Sequence, residues 1–353
     1  MSALEKSPET AGRAPLMTLG GVSQVFHTKA GPIRAVDNIN LSVNPGEVLC
    51  LVGESGSGKT TAARMAAGLA RPSSGEVAFE GTDIWALKRD DFTNFRRSVQ
   101  YVHQDPYASL NPTRTIQQTI TAPLLKHGVV KSKKAAAERA VELLTKVDLT
   151  PAENYLSKYP HQLSGGQRQR VAVARALTLD PKLIIADEST SMLDVSIRIS
   201  VLAMLGRLRD DLGVGFLFIT HDLAIAKYFG WHGKTAVMYL GRIVEFGPTP
   251  KIINAPTHPY TRALIDAIPE PDPDLTKTKG RESLRSLEIP SLAHLPSGCT
   301  FHPRCPLFED GLCDGAVPEL VTIRSGQSAA CHVVARDGVA ALDDEARSDE
   351  PRA

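Results

Sequence analysis

The chain has 353 residues, 42% hydrophobic and 22% charged, a balance that supports a sizeable buried core and excludes wholesale disorder. Forty Lys and Arg against 39 Asp and Glu leave a net charge of +1, so no bulk field draws nucleic acid or anionic membrane to the surface. No apolar run approaches the ~18 residues of a membrane-spanning helix, and the polar start resembles no secretory signal. The length predicts one main domain with appendages, expected to stay in the cytosol.

Residues 1–15 carry Ser, Pro, Glu and Gly without periodicity and read as a mobile tail, with structure beginning near Leu16. The runs 48–52, 183–186 and 214–219 are short, apolar and bounded by polar loops, the pattern of buried parallel strands. Between the first two lies sequence with helical spacing, where Ala140, Val141, Leu144 and Val147 share one face, so a helical insert in an α/β sheet is expected. Residues 235–240 and 242–246, parted by Gly241, read as a hairpin. Pro269, Pro271 and Pro273 open a linker, 269–290, before a small Cys- and Pro-containing module at 291–335 and a flexible acidic tail at 336–353.

Directly after the first strand stands Gly53-Glu54-Ser55-Gly56-Ser57-Gly58-Lys59-Thr60, a complete G-x-x-x-x-G-K-[ST] pattern. Its glycines permit positive φ and bring backbone N–H groups to phosphate oxygens, and the next helix adds its positive end. Lys59 supplies a point charge for the β/γ phosphates, and the Thr60 hydroxyl suits Mg²⁺. Asp187 and Glu188 end the strand at 183–186: one carboxylate suits the metal, and Glu188 can orient or deprotonate water. Between them, Leu163-Ser164-Gly165-Gly166-Gln167 opens a helical run and offers a second anion-binding helix start. One nucleotide does not need two cradles from one chain; a head-to-tail dimer gives each a use.

These ordered motifs resemble those of ATP-binding cassette (ABC) proteins over roughly residues 16–265, within an expected ATPase domain at 16–268. The resemblance implies an α/β fold: a P-loop, RecA-like nucleotide-binding domain with antiparallel β and helical subdomains, the helical part at about 105–180. It implies ATP and Mg²⁺ as ligands. Phosphate binding falls to Gly53, Ser55, Gly56, Gly58, Lys59, Thr60 and Thr61, metal contacts to Thr60, Gln104 and Asp187, and catalysis to Glu188 and the switch residue His221. The signature residues Ser164, Gly165, Gly166 and Gln167, with Asp194 of the D-loop, are implied at the dimer interface, and Phe26 against adenine. Phe26 stands where Tyr is frequent, Ser189 where Pro is frequent and Met192 where Ala is frequent; none of these removes a group the reaction requires.

The stretch 104–112, then His258-Pro259-Tyr260-Thr261-Arg262-Ala263-Leu264, is similar to the ATPases of oligopeptide and dipeptide importers, and so is the cysteine-bearing end. That similarity implies a peripheral protein on the cytoplasmic face of the membrane. Its partners would be a second ATPase subunit, identical or related, two permease subunits and, indirectly, an extracytoplasmic solute-binding protein, with no nucleic acid. Relatives carry oligosaccharide or nickel, which stand as alternatives to peptide. A soluble non-transport ATPase is a further alternative, disfavoured because the chain has neither a second cassette nor a long coiled-coil insertion. A regulatory protein is disfavoured by intact Glu188 and His221, and an exporter by the lack of fused membrane spans.

Cys299, Cys305, Cys313 and Cys331 fall in about 33 residues with few large apolar side chains, so a cross-link is expected there. A reducing compartment disfavours disulfides, and the absence of close C-x₂₋₄-C pairs disfavours Zn²⁺, although His302 and His332 are near. A Cys₄-ligated [4Fe–4S] cluster fits the wide spacing best, with zinc as the alternative. Cys50, inside the first strand, reads as a buried apolar residue.

Overall fold

The computed structural model describes residues 14–29, 31–268 and 284–338. The expected tail at 1–13, most of the linker (269–283) and the acidic end (339–353) lie outside the described residues.

In chain order the elements are β1 (Met17–Thr28), β2 (Gly31–Val43), β3 (Val48–Val52), α1 (Lys59–Ala66), β4 (Ser74–Phe79), β5 (Thr82–Asp83), α2 (Arg89–Ser98) and β6 (Val99–Val102). A helical section follows, comprising α3 (Pro106–Ser109), α4 (Ile116–Lys126), α5 (Lys133–Lys146), α6 (Glu153–Leu156) and α7 (Gly165–Ala176). The chain returns through β7 (Leu183–Asp187), α8 (Val195–Leu212), β8 (Gly215–Thr220), α9 (Leu223–Phe229), β9 (Lys234–Tyr239) and β10 (Arg242–Pro248). Helices α10 (Thr249–Asn254) and α11 (Pro259–Asp266) precede the C-terminal segment, which holds β11 (Val321–Arg324), β12 (Gln327–Ala329) and α12 (His332–Asp337).

Two sheets form. The smaller is antiparallel, in the order β2-β1-β4-β5; the larger runs β11-β12-β10-β9-β3-β8-β7-β6. Within it β9, β3, β8, β7 and β6 are parallel, and β10 and the C-terminal hairpin are antiparallel additions. Every residue of β3, β7 and β8 is buried, and their alternating side chains serve two different cores. Val48, Cys50, Val52, Ile184, Ala186, Phe216 and Phe218 face the helical section, packing with Ile120, Leu144, Val171 and Leu205. Leu49, Leu51, Leu183, Ile185, Leu217 and Ile219 face the other way, onto α1 and the small sheet through Ala63, Met65, Leu19 and Val22. Cys50 lies wholly within the first of these cores, and burial pushes its thiol pKa up to about 12, as expected for a neutral packing residue.

The expected strands match β3, β7, β8, β9 and β10 to within two residues at either end. The C-terminal segment departs from expectation. Rather than forming a module separated from the cassette, it extends the main sheet: Glu245 and Phe246 of β10 pair with Ala329 and Ser328 of β12. Cys299, Phe301 and Cys305 pack in one core with Val237, Tyr239 and Tyr260 of the cassette. The joint has a polar centre. Glu245, wholly buried, accepts hydrogen bonds from the backbone N–H and Oγ1 of Thr257, both at 2.7 Å, from His258 N at 3.0 Å and from Gln327 Nε2 at 2.8 Å. Four donors on one carboxylate compensate its burial and lock the hairpin to α11.

Candidate active site

The phosphate loop turns out of β3 at Gly53, where a Cβ would lie 2.0 Å from the carbonyl oxygen of Met238. Gly58, with φ 104°, would meet the Ala35 carbonyl at 2.2 Å, so neither position admits a side chain. Ser57 N donates to Glu54 O at 3.2 Å, and Gly241 N donates to Ser57 O at 2.9 Å, tying the loop to the β9–β10 turn. Ser55, Gly56 and Thr60 are exposed along its rim, with Thr61 half-buried behind.

Lys59, the first residue of α1, is buried, and its Nζ donates to the carbonyls of Gly53 and Glu54, both at 2.8 Å. It also stands 3.9 Å from Glu188 Oε1. Burial lowers its pKa, and the charges of Glu188, Asp187 and Glu54 oppose that shift. Thr60 Oγ1 donates to Asp187 Oδ1 at 3.0 Å, and the Tyr101 hydroxyl donates to Oδ2 at 2.6 Å. Burial raises the Asp187 pKa, while these two bonds stabilise the charged form. A hydroxyl beside a carboxylate is a hard-oxygen donor pair of the kind Mg²⁺ takes.

Glu188 follows at the strand exit with φ 42°, a left-handed conformation that costs an L residue energy and is held by its N–H bond to Ile219 O at 3.0 Å. Its Oε2 accepts from Gln104 Nε2 at 3.0 Å and lies 3.6 Å from His221 Nδ1. Residues far apart in sequence, Lys59, Gln104, Asp187, Glu188 and His221, therefore surround one space at the carboxyl ends of β3, β6, β7 and β8, where α/β sheets take ligands. The Ser57 hydroxyl at this loop is buried without a hydrogen-bond partner among the described residues.

The second cradle stands apart. Ser164 and Gln167 form a reciprocal capping box at the start of α7, and among the described residues no hydrogen bond joins 164–167 to the phosphate loop. A Cβ on Gly166 would lie 2.4 Å from Ile197 Cγ2, and one on Gly165 3.5 Å from Leu193 Cδ2. Gly166 thus lets α7 approach the start of α8, which Asp194 precedes as N-cap, whereas a Cβ on Gly165 would make only an ordinary contact. Phe26, near the end of β1, is 46% exposed and free to receive a flat partner.

Three residues at the site were not anticipated. Tyr101 holds Asp187; the Tyr260 hydroxyl accepts from Glu54 N at 2.9 Å; and Arg304 grips the Glu54 carboxylate at 2.9 and 3.1 Å.

All four C-terminal cysteines are buried free thiols. Burial raises the pKa of Cys299 to about 12, and that of Cys305 is raised as well; Cys299 N donates to Cys313 O at 2.8 Å, while Cys299 and Cys305 pack in one core and Cys313 and Cys331 in another. Among the described residues no three His, Cys, Asp or Glu side chains gather closely enough to hold a metal ion, so the expected iron–sulfur centre has no formed ligand set here. His302 Nδ1 faces the carbonyls of Ser297 and Cys299, and His332 Nε2 that of Ala316.

Comparison with known proteins agrees with the architecture. A family model described as ABC transporter matches residues 36–191, and one described as the C-terminal region of oligopeptide/dipeptide transporters matches 244–313. A probable peptide ABC transporter ATP-binding protein of Sinorhizobium fredii is 47% identical over 308 residues, covering 87% of this chain and 85% of that one. The oligopeptide transport ATP-binding protein OppF of Escherichia coli is 42% identical over 307 residues, covering 84% and 90%. Among solved structures, a dimeric post-hydrolysis ATP-binding cassette bound to ADP and Pi is 31% identical, with a TM-score of 0.60 over 66% of this chain and 98% of that one.

Proposed function

Because the chain belongs to the family of ABC transporter ATP-binding proteins, we propose that it is the ATP-hydrolysing subunit of an importer for oligopeptides or dipeptides. The observation that carries the reading is the convergence of Lys59, Gln104, Glu188 and His221 on one space beside the phosphate loop. The peptide assignment is supported by the match of 244–313 to the C-terminal region of oligopeptide/dipeptide transporters and by relatives named as peptide and oligopeptide transport ATP-binding proteins.

In this reading the loop N–H groups and Lys59 hold the β/γ phosphates, and Phe26 stacks on adenine. Glu188 orients the attacking water and accepts its proton, with His221 and Gln104 beside the γ-phosphate. Thr60 and Asp187 would hold Mg²⁺, which when bound neutralises phosphate charge. The orphaned Ser57 hydroxyl and the glycines that no side chain can replace fit a phosphate cradle. Signature residues Ser164, Gly165, Gly166 and Gln167, with Asp194, act on nucleotide held by a second ATPase subunit; the dimeric state of the related cassette structure supports this.

Docking of permease subunits is assigned to the helical section. There Arg114, Lys126 and Arg175 line an open groove with Ser109 and Asn111, and Arg96 and Arg97 of α2 close its other side. Among the described residues no helix is long and apolar enough to cross a membrane; in this reading the subunit works at the cytoplasmic membrane face through its permease partners. The test is co-isolation from membranes. Two polytopic subunits should accompany the tagged chain, and peptide supplied with its binding protein should stimulate ATP hydrolysis; recovery of the chain alone in active form would reject the importer.

For the C-terminal cysteines the reading is a [4Fe–4S] cluster bound by Cys299, Cys305, Cys313 and Cys331. Its support is that all four cysteines of the segment are buried free thiols, with Cys299 N donating to Cys313 O at 2.8 Å; the ligand set is not formed without the cluster, which would draw the sulfurs together. The cluster would serve to stabilise the segment. Anaerobically isolated protein should be brown and contain iron and sulfide. Colourless protein with stoichiometric zinc would replace this assignment by the alternative.

A further inference from the structure

Behind the phosphate loop, on the side away from the nucleotide space, the C-terminal segment packs against the loop itself. Residues 299–305 form a run of tight turns: His302 N donates to Cys299 O at 3.0 Å, Arg304 N to Phe301 O at 3.0 Å and Cys305 N to His302 O at 3.3 Å. The turns fix Arg304 between two of the cysteines. Its guanidinium, buried, sits 5.6 Å from the centre of the Phe301 ring and 5.8 Å from that of Tyr239, and its only carboxylate partner among the described residues is Glu54. The pair is two-pronged, with Nη1 to Oε2 at 2.9 Å and Nη2 to Oε1 at 3.1 Å. Such a fork fixes direction as well as distance.

Glu54 is held at a second point. Its backbone N–H donates to the hydroxyl of Tyr260 at 2.9 Å. Tyr260 is wholly buried, its ring 4.5 Å from Tyr239 and 5.4 Å from Phe301. The peptide N–H of Glu54 therefore points to the C-terminal side of the loop, and its carbonyl accepts from Lys59 Nζ at 2.8 Å. One residue thus carries on its side chain and N–H the contacts to the C-terminal core, and on its C=O the contact to the phosphate-binding lysine.

We propose that Arg304 is a positioning residue for the phosphate loop: through Glu54 it transmits the state of the cysteine-bearing segment to the nucleotide site, so that disrupting the segment weakens ATP binding. The proposal rests on the ATP-binding reading above. Loop N–H groups bind phosphate well only when already aimed at it, and without the clamp at Glu54 the loop must be ordered at the expense of binding.

The test is a titration of the full chain with a fluorescent ATP analogue and Mg²⁺, comparing wild type with R304Q, E54Q, R304Q/E54Q and R304K. R304Q and E54Q should each weaken binding about tenfold, equivalent to ~1.4 kcal/mol. The double variant should be no weaker than either single one, because both remove the same contact. R304K, which keeps the charge and loses the fork, should fall between. C305S should reproduce the loss in the wild-type background and add nothing in E54Q. Unchanged affinity in R304Q, multiplied losses in the double variant, or a full C305S effect on top of E54Q would each overturn the proposal. If R304Q does not fold, E54Q, whose side chain is nearer solvent, breaks the same contact from the other side. Lys59→Ala separates the two levels of the argument: if it abolishes binding while R304Q and E54Q do not alter it, only the positioning role fails. If it leaves binding intact, the nucleotide-site reading fails first.

Discussion

Replacing Glu188 by Gln should lower the rate of ATP hydrolysis about 10²–10⁴-fold, the usual contribution of a positioned general base, while leaving nucleotide affinity within a few-fold of wild type. The substitution keeps the shape and the bond to Gln104, which donates to Glu188 Oε2 at 3.0 Å and can donate equally to an amide oxygen. What is lost is the ability to accept a proton from water. The phosphate cradle is untouched, because Lys59 keeps its bonds to the carbonyls of Gly53 and Glu54. ATP-bound dimers should therefore accumulate. Phosphate release measured with the permease subunits present gives the rate, and size analysis with ATP gives the dimer. Wild-type turnover in the Gln variant would remove Glu188 from the base position.

What could be read from the sequence alone follows burial. Strands β3, β7 and β8 announce themselves because both of their faces are covered, so each is a continuous apolar run. The phosphate loop is legible for a different reason: its glycines and lysine are required by backbone geometry and charge, and such requirements leave a fixed spacing. The docking of the C-terminal segment has no such signature. Strand β12 is three residues long and β11 four, with Val321 exposed, and the attachment is made by Glu245, Gln327 and Thr257. These are residue types that ordinarily face solvent. Only the fold brings Gln327 within reach of a buried carboxylate 82 positions earlier. Arg304 is hidden in the same way, 250 positions from its partner, and Glu54 occupies a place in the motif that tolerates many residues. Tyr101 is one of several aromatics in the chain until β6 is set beside β7 and its hydroxyl reaches Asp187. The antiparallel small sheet was implied by family resemblance rather than by pattern, since β1 is half-buried along much of its length and bulged against β2.

Lys59→Ala should reduce ATP affinity about 100-fold, because at least two charge-assisted bonds to phosphate, each worth roughly 1.5–3 kcal/mol, are removed. A second effect adds to the first. Lys59 stands 3.9 Å from Glu188, and its charge is felt by Asp187 too, so Ala removes a compensating charge from these carboxylates at the mouth of an anion site. The same variant tests the composite arrangement. If each site joins the phosphate loop of one chain to the signature of the other, a heterodimer of Lys59→Ala with Gly166→Asp contains one site bearing both lesions and one bearing neither. Gly166 is a severe lesion by geometry, since even a Cβ would sit 2.4 Å from Ile197 Cγ2, and a carboxylate there would also repel phosphate. Isolated through two different tags, this heterodimer should bind one ATP tightly, whereas either homodimer should bind none in a closed state. If each chain instead completed its own site, both sites of the heterodimer would carry one lesion, and no tight ATP would be found.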